Sequence, residues 1–164
     1  MISLEIFEPD ENCDFKCVYY RDSDDKVIRE TQLDKNNNVI RDCLIEYGYG
    51  RLMVSMALIG QDNISIIAVR KYHYYEDSDL IKTVEEFKHE EGQEIRTQVA
   101  EYKYIDKTST VTIYDESNNP VGYELYGYRK NDDFMSLLGF FNMSDEEVSV
   151  DIWNSKMKAL NSYF

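Results

Sequence analysis

An internal repeat constrains this 164-residue chain more than any other feature of its sequence. Laid over itself at an offset of 55 without gaps, Tyr19-Tyr20-x-Asp22-Ser23-Asp24 falls on Tyr74-Tyr75-x-Asp77-Ser78-Asp79. Further on, Glu30 meets Glu85, Ile40-Arg41 meets Ile95-Arg96, and Glu46-Tyr47-x-Tyr49 meets Glu101-Tyr102-x-Tyr104. About a third of the positions from Tyr19 to Tyr49 are identical, above the level expected of an ungapped match by chance. Two copies of one unit, about 19–73 and 74–128, therefore make up most of the chain.

Polar clusters interrupt apolar runs every dozen or so residues in each copy. Asp22 to Asp25, Lys35 to Asn38, Gly48 to Gly50 and Gly60 to Asn63 punctuate the first. Glu76 to Asp79, Glu90 to Gln93, Asp106 to Ser109 and Glu116 to Pro120 punctuate the second. Asn, Asp and Gly tolerate the positive φ that tight hairpins demand. The runs between them, such as Leu52 to Ile59, Ile95 to Ile105 and Thr110 to Tyr114, are rich in Val, Ile, Thr and Tyr, which suit a pleated surface. Met1 to Phe7 alternates in the same way. The pattern predicts a mainly β fold, an antiparallel meander, with α+β as the alternative. Residues 79–91 fit a helix capped by Ser78-Asp79, carrying Leu80, Val84 and Phe87 on one face and stopped by Gly92. Their first-copy counterpart, Asp25 to Asp34, fits a helix less well, and the repeat favours strand in both.

Residues 134–164 differ in kind and are expected to form a C-terminal helical segment of the single 1–164 domain. Ser144-Asp145-Glu146-Glu147 has the form of a capping box, with Met143 and Val148 as a hydrophobic staple. Val148, Ile152, Met157 and Leu160 follow at helical spacing beside Trp153, a stripe expected to pack on the sheet. Phe134 to Phe141 is an apolar connector without a clear period.

Asp and Glu outnumber Lys and Arg by 32 to 18. That charge repels phosphate backbones and anionic lipid, which argues against nucleic-acid and membrane partners, and it attracts basic proteins. Solubility alone is the competing explanation. Neither a signal peptide nor a membrane-spanning run is present, so a cytoplasmic location is expected. Three cysteines, Cys13, Cys17 and Cys43, fit neither a disulfide framework nor a C-x-x-C site. Buried or idle thiols are expected, and no metal or cofactor. Of the two histidines, His73 reads as packed among tyrosines in a strand and His89 as part of a solvated acidic stretch. Phosphate-loop, nucleophile-elbow and zinc-protease motifs are missing. The chain reads as a binding protein rather than an enzyme.

Asp34-Lys35-Asn36-Asn37-Asn38-Val39-Ile40-Arg41, followed by Glu46-Tyr47-Gly48-Tyr49-Gly50-Arg51-Leu52, resembles a diverged YD (RHS-type) repeat, in which tyrosine-ended strands run between Asp/Asn/Gly turns. Glu101-Tyr102-Lys103-Tyr104-Ile105-Asp106 keeps the tyrosines and loses the Gly-Arg-Leu step. Small acidic chains with YD-like or MORN-like hairpins resemble the immunity proteins (antitoxins) that accompany bacterial toxins. The resemblance implies a protein that binds and neutralises a cognate, basic toxin. A structural or adaptor module making homo-oligomeric or scaffold contacts is the alternative. The exposed turn carboxylates Asp22, Asp24, Asp25, Asp77 and Asp79 are the expected partner-binding residues, with an exposed tyrosine near those turns as the anchor.

Overall fold

The computed structural model describes residues 3–7, 15–59, 65–128 and 135–159. The strands are β1 (Ser3–Phe7), β2 (Phe15–Arg21), β3 (Val27–Asp34), β4 (Val39–Gly48), β5 (Arg51–Ile59) and β6 (Ser65–Tyr74), then β7 (Ile81–Glu90), β8 (Gln93–Ile105), β9 (Thr108–Asp115), β10 (Pro120–Tyr128), β11 (Met135–Phe141) and β12 (Glu147–Val148). One helix, α1 (Val150–Ala159), follows. Sheet order is chain order, so each strand pairs with its predecessor in an antiparallel meander. Residues 79–91 are turn and strand, as the repeat requires. Among the described residues, no helix is long and apolar enough to cross a membrane. The chain divides into two compact units, Met1–Arg70 with His89–Glu94 (unit 1) and Lys71–Lys88 with Ile95–Phe164 (unit 2).

Among the described residues one turn recurs four times. In 22–26, 34–38, 115–119 and 142–146 the first residue's N–H donates to the fifth carbonyl and the fourth N–H donates back to the first carbonyl. The first side chain, Asp22, Asp34, Asp115 or Asn142, accepts from the third and fifth backbone N–H at 2.8–3.0 Å. The fourth residue is left-handed every time: Asp25, Asn37, Asn118 and Asp145, with φ of 62–64°. This is a three-residue loop ending in a bulge, a position that Asp and Asn occupy at little cost. Its capping carboxylates are electrostatically held: hydrogen bonds from Asn38 keep Asp34 below the ordinary carboxylate range, and those from Asn119 do the same for Asp115.

Asp22-Ser23-Asp24 and Asp77-Ser78-Asp79 are identical in sequence but not in conformation. Around Asp77 the closing bonds run from Tyr75 N–H to Leu80 O and from Ser78 N–H to Tyr75 O. Here Asp77, not the fourth residue, is left-handed (φ 54°), and Ser78 Oγ accepts from Leu80 N–H. The cause is the residue aligned with Asp25. It is Leu80, whose branched side chain disfavours the left-handed region, so the loop lengthens by a residue and the strain moves to Asp77.

In unit 1 buried residues come as neighbours along β2, β4, β5 and β6, namely Cys17 and Val18, Asp42 and Cys43, Ala57 and Leu58, and Ala68 and Val69, whereas β3 buries Thr31 between Val18 and Asp42. Adjacent strand residues face opposite ways, so both faces are covered at the centre. Across β2–β4, Val18 pairs with Thr31 and Thr31 with Asp42. Asp42 accepts from Thr31 Oγ1 at 3.0 Å and from both arms of the Arg29 guanidinium, Nε at 2.9 Å. Burial works against its charge, but the bonds from Arg29 and Thr31 outweigh it and hold the carboxyl below its usual value.

Unit 2 builds its core from sheet and helix. Ala100, Ile113 and Gly122 lie in one cross-strand row, Tyr102, Val111 and Glu124 in the next. Trp153 of α1 packs there with Val111 and Ile113, stacks on Phe140 at 5.2 Å and is 2% exposed. At about 25 cal/mol per Å² over roughly 200 Å² of ring, that burial contributes about 5 kcal/mol as an upper figure. The row leaves room for it because Gly122 has no Cβ: one placed there would lie 2.7 Å from the Trp153 ring and 2.5 Å from Phe141 O. Glu124, in the middle of this apolar surface, accepts from Trp153 Nε1 at 3.0 Å and from Tyr126 OH at 2.7 Å. Burial and then the Glu124 bond push the Tyr126 phenol well above its ordinary value.

The helical segment starts later than the sequence implies. Phe134 and Leu160 lie outside the described residues, but Met135–Phe141 is a strand, and Ser144 to Glu146 belong to the fourth recurring turn rather than to a capping box. Left-handed Asp145 prevents a helix from starting there. Ser149 is the true cap, its carbonyl accepting from Trp153 N–H and its Oγ from Ile152 N–H. The expected stripe shifts accordingly: Trp153 and Met157 face the core while Ile152 stands 53% exposed.

Candidate functional site

In a meander, alternate turns lie at the same end of the sheet. In unit 1 the 22–26 turn and the β4–β5 hairpin tip therefore sit together, and Lys26 Nζ lies over the Tyr47 ring at 5.5 Å between them. The tip is the two-residue turn Tyr49-Gly50, closing the Gly48–Arg51 pair, with φ of 52° and 81°. Both signs are those of a type I′ hairpin, which favours Asn-Gly. A tyrosine at its first position is a steric outlier. Tyr49 is also 101% exposed, so no packing within the chain compensates. Tyr47, two residues earlier, is 38% exposed.

The acidic residues expected at the site are placed unequally. Asp22 turns its carboxylate inward to cap its own turn, whereas Asp24 and Asp25 are exposed. Arg21 donates to the Asp25 carbonyl at 2.9 Å and lies 3.8 Å from its carboxylate. Asp77 and Asp79 are exposed in the 75–80 turn of unit 2, next to exposed Glu76, and no basic residue lies within that turn. The structure thus groups Asp22, Asp24 and Asp25 beside the tyrosine tip of unit 1, and Asp77 and Asp79 on a separate turn of unit 2.

Tyr49 itself was hidden by the alignment. The offset of 55 carries Tyr47 in β4 onto Tyr102 in β8, but β8 runs on to Ile105 before turning at Asp106-Lys107. Tyr104 is thus a strand residue while its aligned partner Tyr49 is the turn itself. The sequence signal was available locally, in a tyrosine preceding a glycine where a hairpin must turn.

Other polar groups serve the sheet. His73, expected to be packed, is half exposed and lies 3.0 Å from Glu85, which also faces Arg96 at 3.7 Å. Cys17 and Cys43 are buried free thiols, and burial raises that of Cys43; Cys13 lies outside the described residues. Several tyrosine hydroxyls find carboxylates: Tyr114 donates to Glu101 and Tyr123 to Asp145, each at 3.0 Å. Burial, followed by those carboxylates, raises both phenols. Among the described residues no group of three His, Cys, Asp or Glu side chains is placed to hold a metal ion. Comparison with known protein families, with curated proteins and with solved structures finds no match to this chain.

Proposed function

We propose that this chain is a protein-binding inhibitor of the immunity (antitoxin) type, which neutralises a basic cognate toxin in the cytoplasm. The observation that carries the reading is Tyr49. Holding a bulky side chain left-handed costs about 1–2 kcal/mol, and a fully exposed ring recovers none of it within the chain. A contact with another molecule accounts for its presence, and tyrosine is a preferred anchor at interface hot spots. Asp24 and Asp25 at the same sheet end would speed the approach of a basic surface. The step from binding to toxin neutralisation rests on the YD-like, tyrosine-ended hairpins and is analogy.

The test is affinity capture from the native cell with wild-type protein and Tyr49→Asn in parallel. A basic protein should be recovered stoichiometrically with the wild type and lost with the variant. Equal recovery by both would remove Tyr49 from the interface. A concentration-dependent dimer with no other partner would favour the adaptor alternative.

A further inference from the structure

We infer that the outer edge of β1 is a strand-addition site, one that takes an extended segment of a partner protein with Lys or Arg opposite Glu5. This deepens the immunity reading and rests on it for the nature of that protein. β1 is the first strand of the sheet, so among the described residues only β2 pairs with it. The β1–β2 ladder runs from Ser3 with Arg21 to Phe7 with Cys17 without a register shift. The β2–β3, β3–β4 and β4–β5 ladders of the same unit each contain one. Bulges, prolines, lysines and very short strands are the usual means of spoiling an edge. β1 has five residues, an ordinary length for a strand, and Ser3-Leu4-Glu5-Ile6-Phe7 holds neither proline nor lysine. The last strand is different, since β12 is two residues long and gives way to α1. β1 therefore keeps a regular row of backbone donors and acceptors, the template on which an extended peptide adds a strand.

The registers define what such a segment must offer. Leu4 stands in one cross-strand row with Tyr20, and Ile6 in the next row of the same face with Val18. Apolar residues suit the two positions that extend these rows. Glu5 lies between them on the other face, in register with Tyr19 and Glu30. A strand added at the usual spacing of about 4.8 Å meets Glu5 before any other charge of that face. Arg21 already engages Asp25, Lys16 shares the face of Val18, and Arg41 in β4 is four strand spacings away, about 19 Å. A second copy is a poor occupant. Two-fold antiparallel pairing through all five residues sets Glu5 against Glu5, and like charges directly opposite are destabilising. It also joins two chains that each carry a formal charge of −14. Lys or Arg at the same position turns that contact favourable.

The probe is a nine-residue peptide of alternating Thr and Val with one central Lys, titrated into the isotope-labelled full chain and read from the amide shifts of Ser3 to Phe7. One control peptide has Glu for that Lys, and another has Pro for the two Val beside it. The Lys peptide should bind roughly threefold or more tighter than the Glu peptide, and the Pro peptide should not bind. Glu5→Lys, a residue common on edge strands, should reverse the order of the first two, and Glu5→Gln should erase it. Tyr49→Asn should change neither. Equal binding of the Lys and Glu peptides to the wild type, an unreversed order in Glu5→Lys, or full binding of the Pro peptide would overturn the inference. So would a wild-type dimer that slows hydrogen exchange at the β1 amides, because the occupant would then be a second copy. Failure of the peptides alongside loss of the native partner in Tyr49→Asn would remove the edge site and leave the immunity reading standing. Peptide binding at β1 with no partner captured from cells would support the edge site and remove that reading.

Discussion

Tyr49→Asn should stabilise the protein and weaken its binding at the same time. The left-handed conformation of Tyr49 costs about 1–2 kcal/mol, whereas asparagine adopts it readily and Asn-Gly is a favoured pair for this turn. With the side chain 101% exposed, the substitution removes no buried contact. The expected gain is about 1 kcal/mol, or roughly 2–4 °C in Tm for a chain of this size. In the complex, loss of a hot-spot tyrosine costs about 2 kcal/mol or more, a loss of roughly 30-fold in affinity. Thermal melts followed by circular dichroism give the first number, and calorimetric titration of the captured partner gives the second. Tyr49→Phe is the control, since it keeps the strain and the ring and should move both numbers little. A lower Tm for Tyr49→Asn would mean that the ring packs on its own chain. A higher Tm with unchanged affinity would refute the link between strain and recognition.

Gly122→Ala should destabilise unit 2 by about 1–3 kcal/mol through overpacking, because the added methyl meets the Trp153 ring and the Phe141 carbonyl; a red shift in tryptophan fluorescence would report the displaced helix. Asn37→Gly should leave stability within a few tenths of a kcal/mol, whereas Asn37→Val should cost about 1–2 kcal/mol; equal melts for the two would show that the turn is not what fixes the β3–β4 hairpin. Asp42→Asn should cost about 2 kcal/mol at neutral pH, as the Arg29 and Thr31 donors lose their carboxylate. Because the folded value of Asp42 is depressed, its contribution is full above the unfolded value near pH 4 and fades as pH falls through the folded one. Denaturant titrations at pH 7 and pH 3 should therefore differ less in Asp42→Asn than in the wild type, and an unchanged difference would remove Asp42 from the acid response.

The sheet was legible because its turns depend on local chemistry. Asp25, Asn37, Gly50, Gly92, Asp106 and Asn118 are left-handed inside clusters that read as turns, and residues of those types are where such conformations cost least. The helix start was misread because Ser144-x-x-Glu147 has the form of a capping box, whereas the overlapping Asn142-x-x-Asp145 matches the Asx pattern of the other three turns, and left-handed Asp145 decides between them. The repeat located corresponding strands but not corresponding turns, since Leu80 in place of Asp25 changes one loop and two added residues of β8 displace another. The candidate site was half legible for the same reason. Acidic turns are visible in composition, but whether a carboxylate faces solvent or, like Asp22, closes its own loop depends on backbone geometry. The glycine after Tyr49 marks the turn in the sequence, but the strain and full exposure of the ring come from the backbone geometry.

The recurring five-residue turn also bears on how the chain acquires its structure. Each copy satisfies its cap within five residues, so a hairpin can close before any distant part of the chain is in place. Every strand then pairs with the one just before it, which keeps contact order low for a protein made almost wholly of strands. Loop-closure entropy is met in small instalments rather than in one long-range step. A chain emerging from the ribosome can add strands in order, each new hairpin docking on the edge left by the last. Whole hairpins are accordingly the natural units of insertion or loss, and a sheet of this kind can lengthen or shorten without re-pairing the strands already formed.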